Sequence, residues 1–221
     1  MNRAPTSREV PLVLGESALL LVDLQNYCCR RDGGEYRGMD AETVATRFGA
    51  FFRTLETVTL PAVRRLQEVC RRAGIEVLYT VIESLTRDGR DRSLDYKLSG
   101  LHVPRGSWDA RVVSELAPLE DEIVIPKTSS SVFVSTNIDF VLRNLGVRHL
   151  VICGVLTDQC VESAVRDACD LGYLVTLVTD GCATLSDERQ EASLRAIRGY
   201  CRQRRSVELV AEIEGLMAAA G

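Results

Sequence analysis

Several features are missing from this chain, and each absence removes a class of protein. No apolar run within its 221 residues is long enough to span a bilayer, so a helical membrane protein is excluded. Met1 to Arg8 carry no hydrophobic stretch of the signal-peptide kind. There is no basic excess: the formal net charge is −4, which leaves no electrostatic footprint for nucleic acid. The one basic cluster, Arg202-Gln203-Arg204-Arg205, is short and reads as a solvated helix end. No Gly-x-Gly-x-x-Gly turn follows any apolar run, so no dinucleotide is implied. Eight cysteines are present, but none forms a Cys-x-x-Cys pair and several fall inside expected strands or helices. A zinc ribbon or disulfide framework is therefore not expected, and a reducing cytoplasm is. Neither a repeat nor a break in composition divides the chain, which reads as one domain over 1–221 with its core at about 17–210.

What is present is an alternation of short apolar runs with helical patterns. Strands are expected at Ala18 to Val22, Ile75 to Ile82, Glu122 to Ile125, Leu150 to Ile152, Tyr173 to Val178 and Val207 to Val210. Between them lie helical patterns over Ala41 to Arg72 (interrupted near Pro61), Trp108 to Leu116, Val134 to Leu145, Cys160 to Leu171 and Asp187 to Cys201. A terminal helix is expected over Ala211 to Ala219. Glu83 to about Gly106 reads as a polar loop. Six apolar strands separated by helices predict a mostly parallel sheet covered on both faces, a three-layer α/β/α, doubly wound, Rossmann-like fold.

In such sheets, ligands bind beyond the carboxyl ends of the strands. Three chemically useful side chains fall there. Asp23 follows the first run, Lys127 follows the third, and Cys160 follows the fourth at the first turn of a helix. A thiol at a helix N-terminus sits in a positive field amid unpaired N–H groups, which favours thiolate and offers donors to an oxyanion. An ammonium would add to that effect, and a carboxylate can take the thiol proton and later activate water.

The blocks carrying these residues are Leu20 to Asn26, Pro126-Lys127-Thr128-Ser129-Ser130-Ser131-Val132-Phe133, Gly154-Val155-Leu156-Thr157-Asp158-Gln159-Cys160-Val161, and Ala164 to Tyr173 followed by Thr179-Asp180. In that order, from about Ser17 to Tyr200, the chain resembles the isochorismatase-like cysteine hydrolases. That superfamily includes N-carbamoylsarcosine amidase, ureidoacrylate amidohydrolase, biuret hydrolase and streptothricin hydrolase. The resemblance implies the strand order 3-2-1-4-5-6, with Asp23, Lys127 and Cys160 as a catalytic triad. It also implies a cis, non-proline bond at Val155–Leu156 and an oxyanion hole from the backbone N–H groups of Leu156 and Cys160.

Departures from the family pattern narrow the chemistry. Isochorismatase proper lacks the nucleophilic cysteine, so Cys160 points to the amidase branch. Nicotinamidases hold a metal through an Asp-x-His motif and a further histidine after the second strand, whereas the segment Glu83 to Asp91 here has none. His102 and His149, the chain's two histidines, fall elsewhere, so no metal and no other cofactor is expected. The implied activity is a metal-independent hydrolase cleaving a C–N bond of a small amide, ureido or carbamoyl substrate through a thioester.

Candidates for substrate binding are Gln25, Asn26, Tyr27, Arg37, Glu83, Phe133 and Thr157. Tyr36 belongs to the same expected substrate loop after the first strand, Trp108 is a candidate wall residue with Phe133, and Asp167 and Asp180 are expected to serve structure. Relatives of this kind imply a homo-oligomer, a dimer or tetramer. Two other readings stay open: vinyl-ether hydrolysis of the isochorismatase type with Cys160 idle, and a non-catalytic thiol redox or scaffold protein suggested by adjacent Cys28 and Cys29.

Overall fold

The computed structural model describes residues 7–220. The expectation of no signal segment at the N-terminus therefore falls largely outside the described residues. Six strands form one sheet: β1 (Ser17–Val22), β2 (Glu76–Ile82), β3 (Ile123–Lys127), β4 (His149–Val155), β5 (Leu174–Ala183) and β6 (Arg202–Arg204). All pairings are parallel and the order is β3-β2-β1-β4-β5-β6. Strand β1 is central and every residue of Ser-Ala-Leu-Leu-Leu-Val is buried, as a strand covered on both faces requires.

The α-helices, in chain order, are α1 (Asn26–Cys29), α2 (Ala41–Thr54), α3 (Leu60–Arg72), α4 (Leu94–Leu98), α5 (Val132–Ser135), α6 (Ile138–Asn144), α7 (Glu162–Asp170), α8 (Asp187–Ile197) and α9 (Ser206–Ala220). A π-helical turn, Leu55–Thr59, joins α2 to α3. It lies just ahead of Pro61, which has no N–H to continue the helical hydrogen-bond ladder at this junction. Helix α3 packs on α9 and on β2 and β5, whereas α7 packs on β4, β5, α5 and α8, so the sheet is covered on two sides.

Three sequence expectations fail for identifiable reasons. Val207 to Val210 is not a strand but part of α9, whose buried Leu209 and Ile213 stand one helical turn apart. The sixth strand is instead the polar Arg202-Gln203-Arg204, an edge strand. Arg202 is therefore no solvated helix end. It is buried, pairs with Glu212 of α9 at 3.0 Å and bonds Thr176 at 3.1 Å. Trp108 to Leu116 is largely irregular, with only a 3₁₀ turn at Ser114–Leu116. Its backbone is spent on the segment after β1, as in Asn26 N–H to Arg111 O and Val113 N–H to Leu24 O. Finally, Val134 to Leu145 is split into α5 and α6 at Thr136, whose backbone is extended.

Strand register brings the functional edge together. Val22 lies beside Thr80 on one side and Gly154 on the other, and Ile82 lies beside Lys127. Gly154 has φ +138°, and a Cβ there would stand 2.1 Å from the Val22 carbonyl oxygen. Only glycine lets β4 pass this close to β1. Gly154→Ala should therefore destabilise the fold by at least about 3 kcal/mol, measured by urea unfolding, because both contacting groups are backbone and neither can step aside.

Candidate active site

Asp23 leaves β1 in the left-handed region (φ 54°), a conformation that aspartate tolerates better than most residues. Its N–H donates to the Thr80 carbonyl at 3.1 Å, and the Thr80 hydroxyl donates to Oδ1 at 2.8 Å. These bonds aim the carboxylate across the end of the sheet. Lys127, the last residue of β3, reaches it: Nζ lies 2.9 Å from Asp23 Oδ2, with the lysine side chain 0% exposed. The same ammonium donates to the Ser129 carbonyl at 2.8 Å and to the Tyr96 hydroxyl at 3.2 Å, and it stands 3.4 Å from Cys160 Sγ.

Cys160 arrives from the other direction. The Val155–Leu156 peptide bond at the end of β4 is cis, and a π-helical turn, Thr157–Val161, then leads into α7. The hydroxyl of Thr157 donates to Gln190 of α8 at 2.7 Å and Asp158 pairs with Arg189, so the turn is tied down from outside. Acid, amine and thiol thus meet at the carboxyl edge of the sheet, from β1, β3 and the segment after β4.

Burial and neighbouring groups together set the protonation states. Burial is the largest single effect on Lys127 and opposes its charge, but Asp23, Cys160 and Tyr96 together outweigh it and hold the amine above its ordinary pKa. For Cys160 burial is the larger effect: it pushes the thiol up to about 11, against the pull of Lys127 and with a further upward push from Asp23. Burial and Asp23 thus favour the neutral thiol, against the thiolate that its place at a helix start predicts. Asp23 Oδ2 meets the ammonium as an ion pair yet accepts no aligned hydrogen bond, so a lone pair remains for a proton. An acid with a free lone pair, a fixed cation and a neutral thiol can move a proton from sulfur to oxygen as the sulfur forms a bond.

A cavity of about 780 Å³ opens onto the sulfur. Asp23, Tyr27, Tyr36, Leu156 and Cys160 line it, with Tyr96 and Leu101 from the loop after β2. The other candidates for substrate binding lie elsewhere. Gln25 is wholly buried and clamps backbone, donating to the carbonyls of Ile82 and Asp109, both at 3.0 Å. Asn26 donates to the Trp108 carbonyl at 2.9 Å. Arg37 points to solvent and pairs with Asp109 at 2.9 Å. Glu83 accepts from the Gly106 N–H at 2.6 Å, Phe133 packs beside Tyr173, and Thr157 braces the turn as described. Trp108 is outside the cavity as well. Asp167 accepts from Ser131, and Asp180 accepts from Ser206 at the start of α9, both structural ties.

Sequence reading missed Tyr96. It lies on α4 inside what reads as a polar loop, buried, with its hydroxyl 3.2 Å from Lys127 Nζ and 3.9 Å from Cys160 Sγ. One signal was available. Ser93 caps the helix by accepting from the Tyr96 N–H at 3.3 Å, a serine three residues ahead of the tyrosine it positions. Among the described residues, no group of three or more His, Cys, Asp or Glu side chains comes together as a metal site. No helix among them is long and apolar enough to cross a membrane.

This strand order, with its polar cluster at the carboxyl edge, defines a hydrolase of the isochorismatase-like class. The chain belongs to the isochorismatase family, matching its Isochorismatase domain over residues 17–208. It is 31% identical over 213 residues to the ureidoacrylate amidohydrolase RutB of Rhizobium rhizogenes, covering 88% of this chain and 82% of that protein. Among solved structures, a cysteine hydrolase from Pseudomonas syringae pv. phaseolicola shares the fold at TM-score 0.79 and 23% identity, over 94% of this chain and 97% of that one. N-carbamoylsarcosine amidase from Thermoplasma acidophilum superposes at TM-score 0.64 with 26% identity, over 86% and 96%.

The neutral thiol has a measurable consequence. Alkylation of Cys160 by a small uncharged reagent should rise about tenfold per pH unit between pH 8 and 10, because only thiolate reacts, and level off near the thiol's value of about 11. Peptide mass spectrometry across a pH series reads this directly. A plateau at or below the ordinary cysteine value would show that Lys127 offsets or outweighs burial.

Proposed function

We propose that this chain is a cysteine hydrolase that cleaves the C–N bond of a small amide, ureido or carbamoyl compound, with Asp23, Lys127 and Cys160 as its triad. One observation carries the reading: the Lys127 ammonium touches both the Asp23 carboxylate (2.9 Å) and the Cys160 sulfur (3.4 Å) at the floor of a cavity. The names of the relatives, an amidohydrolase and an amidase, support C–N chemistry.

In the proposed reaction, Cys160 attacks the substrate carbonyl carbon as its proton passes to Asp23 Oδ2. The carbonyl electron pair moves onto oxygen, which accepts hydrogen bonds from the backbone N–H groups of Leu156 and Cys160. That pair then returns, the C–N bond breaks, and the nitrogen leaves with the proton held by Asp23, as ammonia or an amine. Water attacks the thioester while Asp23 takes its proton. The C–S bond breaks, and the acid leaves as sulfur regains a proton. Lys127 stays charged throughout. Its role is to hold Asp23 beside the sulfur and to offset the negative charge that passes between oxygen and sulfur. Tyr96 and the Ser129 carbonyl hold the ammonium in place between the two.

The cavity size suits a small molecule. The same reading places the protein in the cytoplasm, in keeping with eight free thiols, and as a homo-oligomer, a dimer or tetramer.

An ammonia-release screen across ureido acids, ureido amines, biuret, carbamoyl amino acids and primary amides tests this proposal, coupled to mass spectrometry of the acyl adduct. Turnover should pass through a covalent adduct on Cys160. Cys160→Ala and Asp23→Asn should each lower kcat by at least about a thousandfold, with the circular dichroism of Cys160→Ala unchanged. Hydrolysis that survives in Cys160→Ala would refute the thioester route and favour ether-type chemistry with an idle sulfur.

A further inference from the structure

The charges around the cavity are unevenly spent. Five acids line it, Asp23, Glu35, Asp95, Asp158 and Glu162, against one cation, Arg166. Three of those acids have a fixed cation of their own: Lys127 for Asp23, Arg189 for Asp158 and Arg166 for Glu162. Arg166 gives Nε and a terminal nitrogen to Glu162 at 3.0 and 2.7 Å and stacks 4.6 Å over Tyr200, so its charge is already offset by a carboxylate. Glu35 and Asp95 pair with no lysine or arginine among the described residues. They come from different parts of the chain. Glu35 follows α1 in the 3₁₀ turn Gly34–Tyr36, and Asp95 is on α4 next to Tyr96. At the base of the same cavity, Asp23 Oδ2 is buried without an aligned hydrogen bond. Glu35 and Asp95 are exposed carboxylates lining the cavity, and two like charges there favour entry of a cation over an anion.

From this we infer that the cavity selects a cationic substrate, an amide or urea whose far end carries an amine or guanidinium that Glu35 and Asp95 hold while Cys160 receives the carbonyl. A substrate ending in a carboxylate would meet two like charges, and the wall's one cation, Arg166, is already paired with Glu162. The inference rests on the hydrolase reading for the identity of the reacting group, but the charge selection itself is independent of turnover. It also separates this chain from a relative named for an acrylate, at 31% identity.

Labelling of Cys160 tests the selection without hydrolysis. Full-length protein is treated with 2-aminoethyl or 2-sulfonatoethyl methanethiosulfonate, reagents of similar size and opposite charge. Each forms a mixed disulfide with the sulfur and releases methanesulfinate. Peptide mass spectrometry distinguishes Cys160 from Cys28, which also lines the cavity. After normalisation to a free small thiol, the cationic reagent should label Cys160 on the order of tenfold faster. The ratio should fall towards one in the Glu35→Gln, Asp95→Asn double variant and, with no variant needed, at 1 M salt. Equal or reversed rates, or a ratio unchanged in a folded double variant, overturn the inference.

A parallel arm compares turnover of a ureidoalkylamine with that of a ureidoalkanoate of equal chain length. Preference for the amine supports the proposal, and preference for the acid overturns it. If neither urea is hydrolysed while the labelling ratio holds, the hydrolase reading loses its substrate class and the cation selectivity stands.

Discussion

A lysine ammonium with no exposure to water costs several kcal/mol to bury, and that cost is tolerable only where an opposite charge and hydrogen-bond acceptors surround it. Lys127 has all of them: the Asp23 carboxylate, the Ser129 carbonyl and the Tyr96 hydroxyl. Each partner comes from a different segment, so the cation acts as a knot among the end of β1, the end of β3 and the loop carrying α4. Removing Asp23 would leave an uncompensated charge in the interior, and removing a neutral partner would leave a buried N–H without an acceptor. The geometry of the site is therefore tied to the geometry of the sheet. Asp23 can reach Lys127 only because β2, lying between their strands, sets the register that carries Thr80 beside Val22 and Ile82 beside Lys127.

That same interior sets the chemistry. A thiol beside an ammonium at the start of a helix would be expected to ionise, yet burial, joined by the Asp23 carboxylate, outweighs the ammonium and favours the protonated sulfur. In the proposed mechanism the proton leaves only as the new bond forms, which suits a carboxylate that retains a free lone pair. A pre-formed thiolate would add a second buried anion beside Asp23. The neutral resting state avoids this and leaves one full charge pair, Lys127 with Asp23, in the apolar surroundings.

The residues expected to bind substrate show where sequence reasoning has least purchase. Gln25, Asn26, Glu83 and Thr157 sit at strand ends, where a ligand is expected, but each is consumed by backbone or a neighbouring helix. Segments that leave a sheet expose many unpaired N–H and C=O groups, and polar side chains near strand ends commonly satisfy them. Sequence position marks such residues as close to the site and cannot distinguish a clamp from a ligand contact. Tyr96 is the converse case. It lies in a stretch with no apolar periodicity, and only the fold of that loop turns it onto the lysine.

Local patterning in the chain determined a great deal. Runs such as Ala18 to Val22 and Leu150 to Ile152 are apolar on both faces and so demand a doubly covered parallel sheet, and the residues that follow such runs must appear at its carboxyl edge. Asp23, Lys127 and Cys160 were legible for that reason, and the motif order made the family recognisable. Where local signals are weak or ambiguous, long-range pairing prevailed. A polar Arg-Gln-Arg segment became the edge strand because β5 offered a free backbone and Glu212 a partner for Arg202, while the apolar Val207 to Val210 wound into α9. Protonation of the thiol, the spending of the strand-end polar groups and the unpaired carboxylates of the cavity wall were likewise decided only in three dimensions. Each depends on burial and on partners far away in the chain, which no local pattern encodes.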